Sequence, residues 1–205
     1  IQSYYPDIVE ESDKYRIFFQ RTVQRTAKLI AKWQAVGFIH GVMNTDNMCI
    51  TGTTFDYGPY GFMDRFVPKY TSNHSDTHGR YAYSQQPEIG FWNLNKLAET
   101  LTPLIGAEIL EEEMKQYQPT FNQFYREEMS KKLGLSILDS EFSQLVQEMF
   151  QLLHNQQLDY TNFFRFLANY PSASSSDDDL KSWLSRYLKL AQREGMSHED
   201  RKAQM

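Results

Sequence analysis

His40 and Asn47 lie seven residues apart, Asp46 sits beside Asn47, and Asp56-Tyr57-Gly58 begins nine residues after it; these are the residues whose types and spacing could do chemistry. Transfer of a phosphoryl or nucleotidyl group from ATP asks a protein for few parts. It needs a carboxylate that orients or deprotonates an acceptor hydroxyl, and two oxygen ligands that hold Mg²⁺ against the phosphates. A loop of the form His-x-Asp-x-x-x-x-Asn, a short hairpin and then Asp-x-Gly supplies that set in kinase-like phosphotransferases. In His40-Gly41-Val42-Met43-Asn44-Thr45-Asp46-Asn47 the His and the Asn are in register, but the aspartate position is Val42. A valine neither accepts a proton nor orients a hydroxyl, so either the site is inactive or its carboxylate has moved, with Asp46 the nearest replacement. Asn47 and Asp56, completed by phosphate oxygens and water, suit Mg²⁺ or Mn²⁺, since Mg²⁺ takes octahedral oxygen coordination with few protein ligands. His40, at a helix-to-strand junction, reads as a brace for the loop.

These residues need elements to hold them. From Ser12 to Val36 the apolar positions Phe19, Val23, Ala27, Ile30 and Trp33 recur at helical spacing, with Arg21, Arg25, Lys28 and Lys32 on the other side and Gly37 as a stop. Met48-Cys49-Ile50 and Thr53-Thr54-Phe55, separated by Thr51-Gly52, predict a small hairpin between Asn47 and Asp56. Residues 57 to 91, interrupted by Gly58-Pro59, Gly61, Pro68, Gly79, Pro87 and Gly90, predict a long aromatic-rich loop without long regular elements. Helical faces follow at Leu94, Leu97, Ala98 and Leu101, at Phe142, Leu145, Val146 and Met149, and at Leu180, Trp183, Leu184, Tyr187 and Leu188. Between them Leu110, Met114 and Tyr117 begin a helix that Pro119 should kink or restart. Asp139 and one of Ser174 to Asp177 are natural N-caps, and the Ser174-Ser175-Ser176-Asp177-Asp178-Asp179 run reads as a loop entering a helix with an acidic first turn. The fold class is therefore mainly α with a small β-hairpin.

Composition narrows the function classes. With 40% hydrophobic and 15% aromatic residues the 205-residue chain can bury a core, so it is globular. A formal net charge of -5 argues against a broad nucleic-acid surface, and no apolar run approaches the roughly 18 residues of a membrane span. One cysteine, Cys49, allows neither an internal disulfide nor a Cys-based zinc site within one chain, which makes a reducing, cytoplasmic setting the expectation.

The segments His40 to Met48 and Asp56-Tyr57-Gly58-Pro59-Tyr60-Gly61-Phe62-Met63-Asp64 resemble the signature segments of the SelO (YdiU) family. Asn73-His74-Ser75-Asp76, Gly79-Arg80-Tyr81, Gln86-Pro87 and Gly90-Phe91-Trp92-Asn93-Leu94 resemble it too, densely from about Arg16 to Leu101 and more loosely beyond. The resemblance implies a protein-kinase-like fold that transfers AMP, not phosphate, from ATP to Ser, Thr or Tyr hydroxyls of protein substrates, with the nucleotide reversed. It implies that Asp46 is the proton acceptor, that Asn47 and Asp56 bind the metal, and that Asp56 also lies against the nucleotide. In that family the nucleotide-gripping lobe lies N-terminal to these segments. The chain is therefore expected to be one domain over 1–205, with a metal-binding loop region over 1–92 and a helical region over 93–205, inactive without that lobe. Two other readings stay open from the residues alone: a kinase-like phosphotransferase segment, and a noncatalytic helical interaction module with the loop aromatics as its docking face. Oligomeric state is not encoded in any of these features.

Overall fold

The computed structural model describes residues 1–169 and 177–205. It is mainly helical, with eight α-helices and one small antiparallel sheet among the described residues. Helix α1 (Lys14–Val36) is followed by β1 (Phe38–Ile39), β2 (Gly61–Phe62), α2 (Gln86–Ile105), α3 (Ala107–Met114), α4 (Tyr117–Leu133), α5 (Ser140–Asn155), α6 (Tyr160–Ala168), α7 (Asp178–Arg193) and α8 (His198–Gln204). The chain divides into two compact units: Ile1–Gln34, Phe38–Gly61 and Lys69–Tyr125 form one, and Ala35–Gly37, Phe62–Pro68 and Arg126–Met205 the other.

In the first unit the predicted apolar face of α1 is buried. Phe19, Val23, Ala27 and Ile30 pack with Leu94 and Ala98 of α2, Leu110 and Met114 of α3, and Tyr117 and Phe121 of α4. Gly37, at φ +71°, ends α1 in the left-handed conformation that glycine tolerates best. Pro119 stands in the first turn of α4, where its missing N–H costs no helical hydrogen bond, so the helix restarts there instead of kinking.

In the second unit α5, α6 and α7 bury Phe142, Leu145, Met149, Phe163, Trp183, Leu184 and Tyr187. Trp183 stacks on Tyr187 with ring centroids 5.5 Å apart and donates its indole N–H to the Leu145 carbonyl. Asp139, Asp159 and Asp177 cap the N-termini of α5, α6 and α7 by accepting from Phe142, Asn162 and Leu180 N–H groups. The expected cap at the end of the serine run is therefore Asp177, while Ser174, Ser175 and Ser176 lie outside the described residues.

Two expectations are corrected. Residues 48–55 form no hairpin; the sheet pairs β1 with β2 instead. Side chains from elsewhere claim that stretch: the Tyr5 hydroxyl donates to the Ile50 carbonyl at 2.6 Å, and the Trp33 indole N–H donates to Thr54 Oγ1 at 2.8 Å. Gly52, at φ +70°, lies so close to α1 that a Cβ there would sit 2.7 Å from Arg25 Cβ. The stretch packs on α1 and turns, and does not pair with itself. Nor do Pro87 and Gly90 break regular structure, because both lie inside α2. Pro87 occupies the first turn, where proline is tolerated. At Gly90 a Cβ would lie 2.1 Å from Ile30 Cδ1 and 2.8 Å from the Tyr117 hydroxyl, so the glycine marks a close helix approach and not an interruption.

Candidate active site

The loop from His40 to Asn47 has few backbone hydrogen bonds of its own, and side-chain amides supply the rest. Gln86, wholly buried at the start of α2, accepts the His40 N–H at 2.9 Å and donates to the Phe38 carbonyl at 2.9 Å. Three successive carbonyls then each receive an asparagine amide: Gly41 from Asn73 at 3.1 Å, Val42 from Asn47 at 3.0 Å, and Met43 from Asn93 at 3.0 Å. Asn44 accepts the Tyr81 hydroxyl, and Thr45–Asn47 close as a 3₁₀ turn through Asn47 N–H to the Asn44 carbonyl. Gly41 is at φ +81°, and a Cβ there would lie 2.7 Å from Ser72 Oγ and 2.8 Å from the Pro59 carbonyl oxygen. Only glycine fits both the conformation and the space.

His40 is the hinge-pin of this arrangement. It is 1% exposed; Nδ1 accepts the Val42 N–H at 3.4 Å and Nε2 donates to the Phe55 carbonyl at 3.1 Å. That pairing is satisfied by the neutral ring with its proton on Nε2. Burial holds its pKa below the ordinary histidine value, against the opposing pull of the Phe55 carbonyl and the Asp56 charge. The expectation that His40 braces the loop is met by these bonds.

Asp46 is exposed in the 3₁₀ turn. Asn47 spends its Nδ2 on the Val42 carbonyl, and among the described residues no hydrogen bond engages its Oδ1. Asp56 is exposed at φ +54°, a region that non-glycine residues enter at a cost and that aspartate tolerates better than most; Gly58 N–H closes on its carbonyl at 2.8 Å. Three hydrogen bonds join the two segments, from Asn47 to Val42, from Val42 to His40 and from His40 to Phe55, the residue before Asp56. The donor set on offer is one amide oxygen and one carboxylate, both hard oxygens without protein partners among the described residues. That fits Mg²⁺ of the kind completed by phosphate oxygens and water. No cluster of three or more His, Cys, Asp or Glu side chains able to hold a metal occurs among the described residues.

The Asn73–Asp76 and Gly79–Tyr81 segments are held by local contacts. Asp76 accepts the N–H groups of Arg80 and Tyr81 at 2.9 and 2.8 Å, and the Arg80 guanidinium lies 4.9 Å from the Trp92 ring and 5.7 Å from Tyr81. Sequence reasoning missed the clamp made by Asn73, Gln86 and Asn93. Polar residues in a loop or on a helix give no periodic signal, and the hint available was an amide on the otherwise apolar face of α2, where Asn93 precedes Leu94.

The family model described as "Protein adenylyltransferase SelO" matches residues 1–202. Similar curated proteins include the "Protein nucleotidyltransferase YdiU" of Vibrio vulnificus, 45% identical over all of this chain and 44% of its own length. The protein of that name from Aliivibrio salmonicida is 44% identical over 95% of this chain and 42% of its own length. That of Myxococcus xanthus is 42% identical over all of this chain and 44% of its own length. The chain thus spans less than half the length of these curated relatives.

Proposed function

This chain belongs to the SelO family, and we propose that it carries the metal-binding and acceptor-activating part of an enzyme that transfers AMP from ATP to Ser, Thr or Tyr hydroxyls of proteins. The observation that carries this reading is the pair of unspent oxygens, Asn47 Oδ1 and the Asp56 carboxylate, on segments joined through His40, with the exposed Asp46 carboxylate next to one of them. In the step proposed, the acceptor hydroxyl oxygen bonds to the α-phosphorus, the bond from that phosphorus to the bridging oxygen of the β-phosphate breaks, and pyrophosphate leaves. Asp46, next to Asn47 and without a hydrogen-bond partner among the described residues, takes the hydroxyl proton. Mg²⁺, when bound, neutralises charge on the phosphates. Asn47 and Asp56 orient the nucleotide, and the clamped loop keeps Asp46 in register with them, so that positioning does much of the catalytic work.

The mainly helical architecture is the one a kinase-like C-terminal lobe requires, and we assign the chain to that fold. Exposed Phe55, Tyr57 and Tyr60 beside Asp56 offer an aromatic surface for a protein substrate. A cytoplasmic setting accords with the single cysteine and with a chain in which no described helix is long and apolar enough to cross a membrane. The test is to incubate the complete enzyme and a protein acceptor with ATP labelled at the α or the γ position. Label transferred from the α position is expected; label from the γ position alone means phosphoryl transfer and refutes the proposal.

A further inference from the structure

The step proposed above gives no task to Asn73–Asp76 or Gly79–Tyr81, two of the segments that resemble the family signatures. Both make bonds to the loop that carries Asp46 and Asn47. Asn73 Nδ2 donates to the Gly41 carbonyl at 3.1 Å, near the start of the loop, and the Tyr81 hydroxyl donates to Asn44 Oδ1, immediately before the 3₁₀ turn Thr45–Asn47. Asp76 ties the two gripping residues together. Its N–H donates to the Asn73 carbonyl at 3.0 Å, one carboxylate oxygen accepts the Arg80 N–H at 2.9 Å, and the other accepts the Tyr81 N–H at 2.8 Å. The Arg80 guanidinium, 5.7 Å from the Tyr81 ring and 4.9 Å from that of Trp92, links Tyr81 to α2.

Asn44 shows what the grip does. It is the N-cap of the turn, at φ −66° and ψ 162°, where an asparagine ordinarily turns its side-chain oxygen onto a backbone N–H of its own first turn. Asn44 makes no such capping bond, because its Oδ1 accepts the Tyr81 hydroxyl instead. Its backbone carbonyl accepts the Asn47 N–H at 3.0 Å, so the residue that Tyr81 holds is the one on which the turn closes. We propose that Tyr81, seated by Asp76, is a positioning residue: it diverts the Asn44 side chain from capping and so fixes the direction in which the turn presents Asp46 and Asn47. The inference rests on the roles given to those two residues in AMP transfer. The bond from Tyr81 to Asn44 is exposed, so water can replace its energy when the hydroxyl is removed, but a mobile water does not hold Asn44 in place. Its loss therefore falls on the rate and not on stability.

The test is Tyr81→Phe in the complete enzyme, which keeps the ring beside Arg80 and removes a single hydroxyl. With α-labelled ATP and a protein acceptor, kcat is expected to fall about three- to tenfold, the factor that one hydrogen bond supplies, with the KM for ATP and the unfolding midpoint unchanged. Asn44→Ala should produce the same loss, and the double variant no greater one, because both substitutions remove the same bond. An unchanged kcat, losses that multiply in the double variant, or a kcat that falls only in step with the unfolding midpoint overturns the proposal. If the unsubstituted enzyme labels the acceptor from the γ position alone, the AMP-transfer reading fails, while kcat for that transfer still judges Tyr81. If it labels from neither position, hydrogen exchange of the Asn47 amide decides: faster exchange in Tyr81→Phe supports the grip, and unchanged exchange overturns it.

Discussion

Replacing Gln86 with methionine tests the idea that buried amides, and not the loop's own backbone bonds, hold the His40 segment. The side chain is wholly buried, and methionine keeps its length and shape while removing both hydrogen-bonding groups. The His40 N–H then has no acceptor in the place Gln86 Oε1 now occupies, a cost of about 1–3 kcal/mol, and the bond to the Phe38 carbonyl is lost, worth about 1 kcal/mol net. Roughly 2–4 kcal/mol of destabilisation results, less a few tenths for the gain in apolar character. With a urea slope near 2 kcal/mol per molar, typical of small proteins, the unfolding midpoint should fall by roughly 1–2 M. Amide hydrogen exchange at His40 should accelerate at the same time, since its N–H is released before the rest of the unit opens. A midpoint within roughly 0.3 M of the parent, a shift of about 0.6 kcal/mol at that slope, together with unchanged exchange at His40, would refute the clamp. The loop would then be held by something other than Gln86.

Three further outcomes follow from the same geometry. Asp56→Asn keeps a side chain that tolerates φ +54° but removes the charge, so the fold should melt as before while Mg²⁺-dependent ATP binding by the complete enzyme weakens at least tenfold by calorimetry; unchanged binding removes Asp56 from the metal site. Gly41→Ala must place a methyl against the Pro59 carbonyl at φ +81°, and should cost about 2–4 kcal/mol in chemical denaturation; a loss under about 1 kcal/mol means that the loop relaxes freely. For His40 the sign runs toward acid. Its folded pKa lies below the unfolded value of about 6.5, so as pH falls through 6.5 the unfolded chain gains a proton that the folded one refuses, and stability drops. His40→Gln should flatten that part of the pH–stability curve, and a slope that persists unchanged in the variant assigns it to another group.

The parts of the fold that were legible in the sequence are those that obey a period. The apolar face of α1, those of α5 and α7, the Asp139 cap and the restart at Pro119 all follow from helical spacing and cap chemistry, and each depends on a few neighbours along the chain. What failed depends on tertiary contact. The β-prone residues 48–55 have the composition of a hairpin, but Tyr5 takes the Ile50 carbonyl and Trp33 fastens the Thr54 side chain to α1. Gly90 looks like a breaker until Ile30 and Tyr117 are seen to occupy the space of its absent Cβ. At the candidate site the sequence spacing singles out Asp46 as a candidate base and Asn47 and Asp56 as candidate oxygen ligands. The side chains that position them, Gln86, Asn73 and Asn93, lie 32 to 50 residues from the loop atoms they hold, a separation at which sequence pattern is silent.

Val42, which looked like a defect because a carboxylate is expected there, has a use that its side chain does not reveal. Its N–H donates to His40 Nδ1 and its carbonyl accepts from Asn47 Nδ2, so the backbone of residue 42 is the junction through which one ligand segment is tied to the histidine that reaches the other. These bonds make no demand on the side chain. A carboxylate placed at 42 would add charge beside a histidine kept neutral by burial, favouring its protonation and with it the loss of the Nδ1 acceptor that Val42 N–H needs. Within this hydrogen-bonding scheme, an apolar residue at 42 and an exposed acid four residues later leave His40 fully bonded.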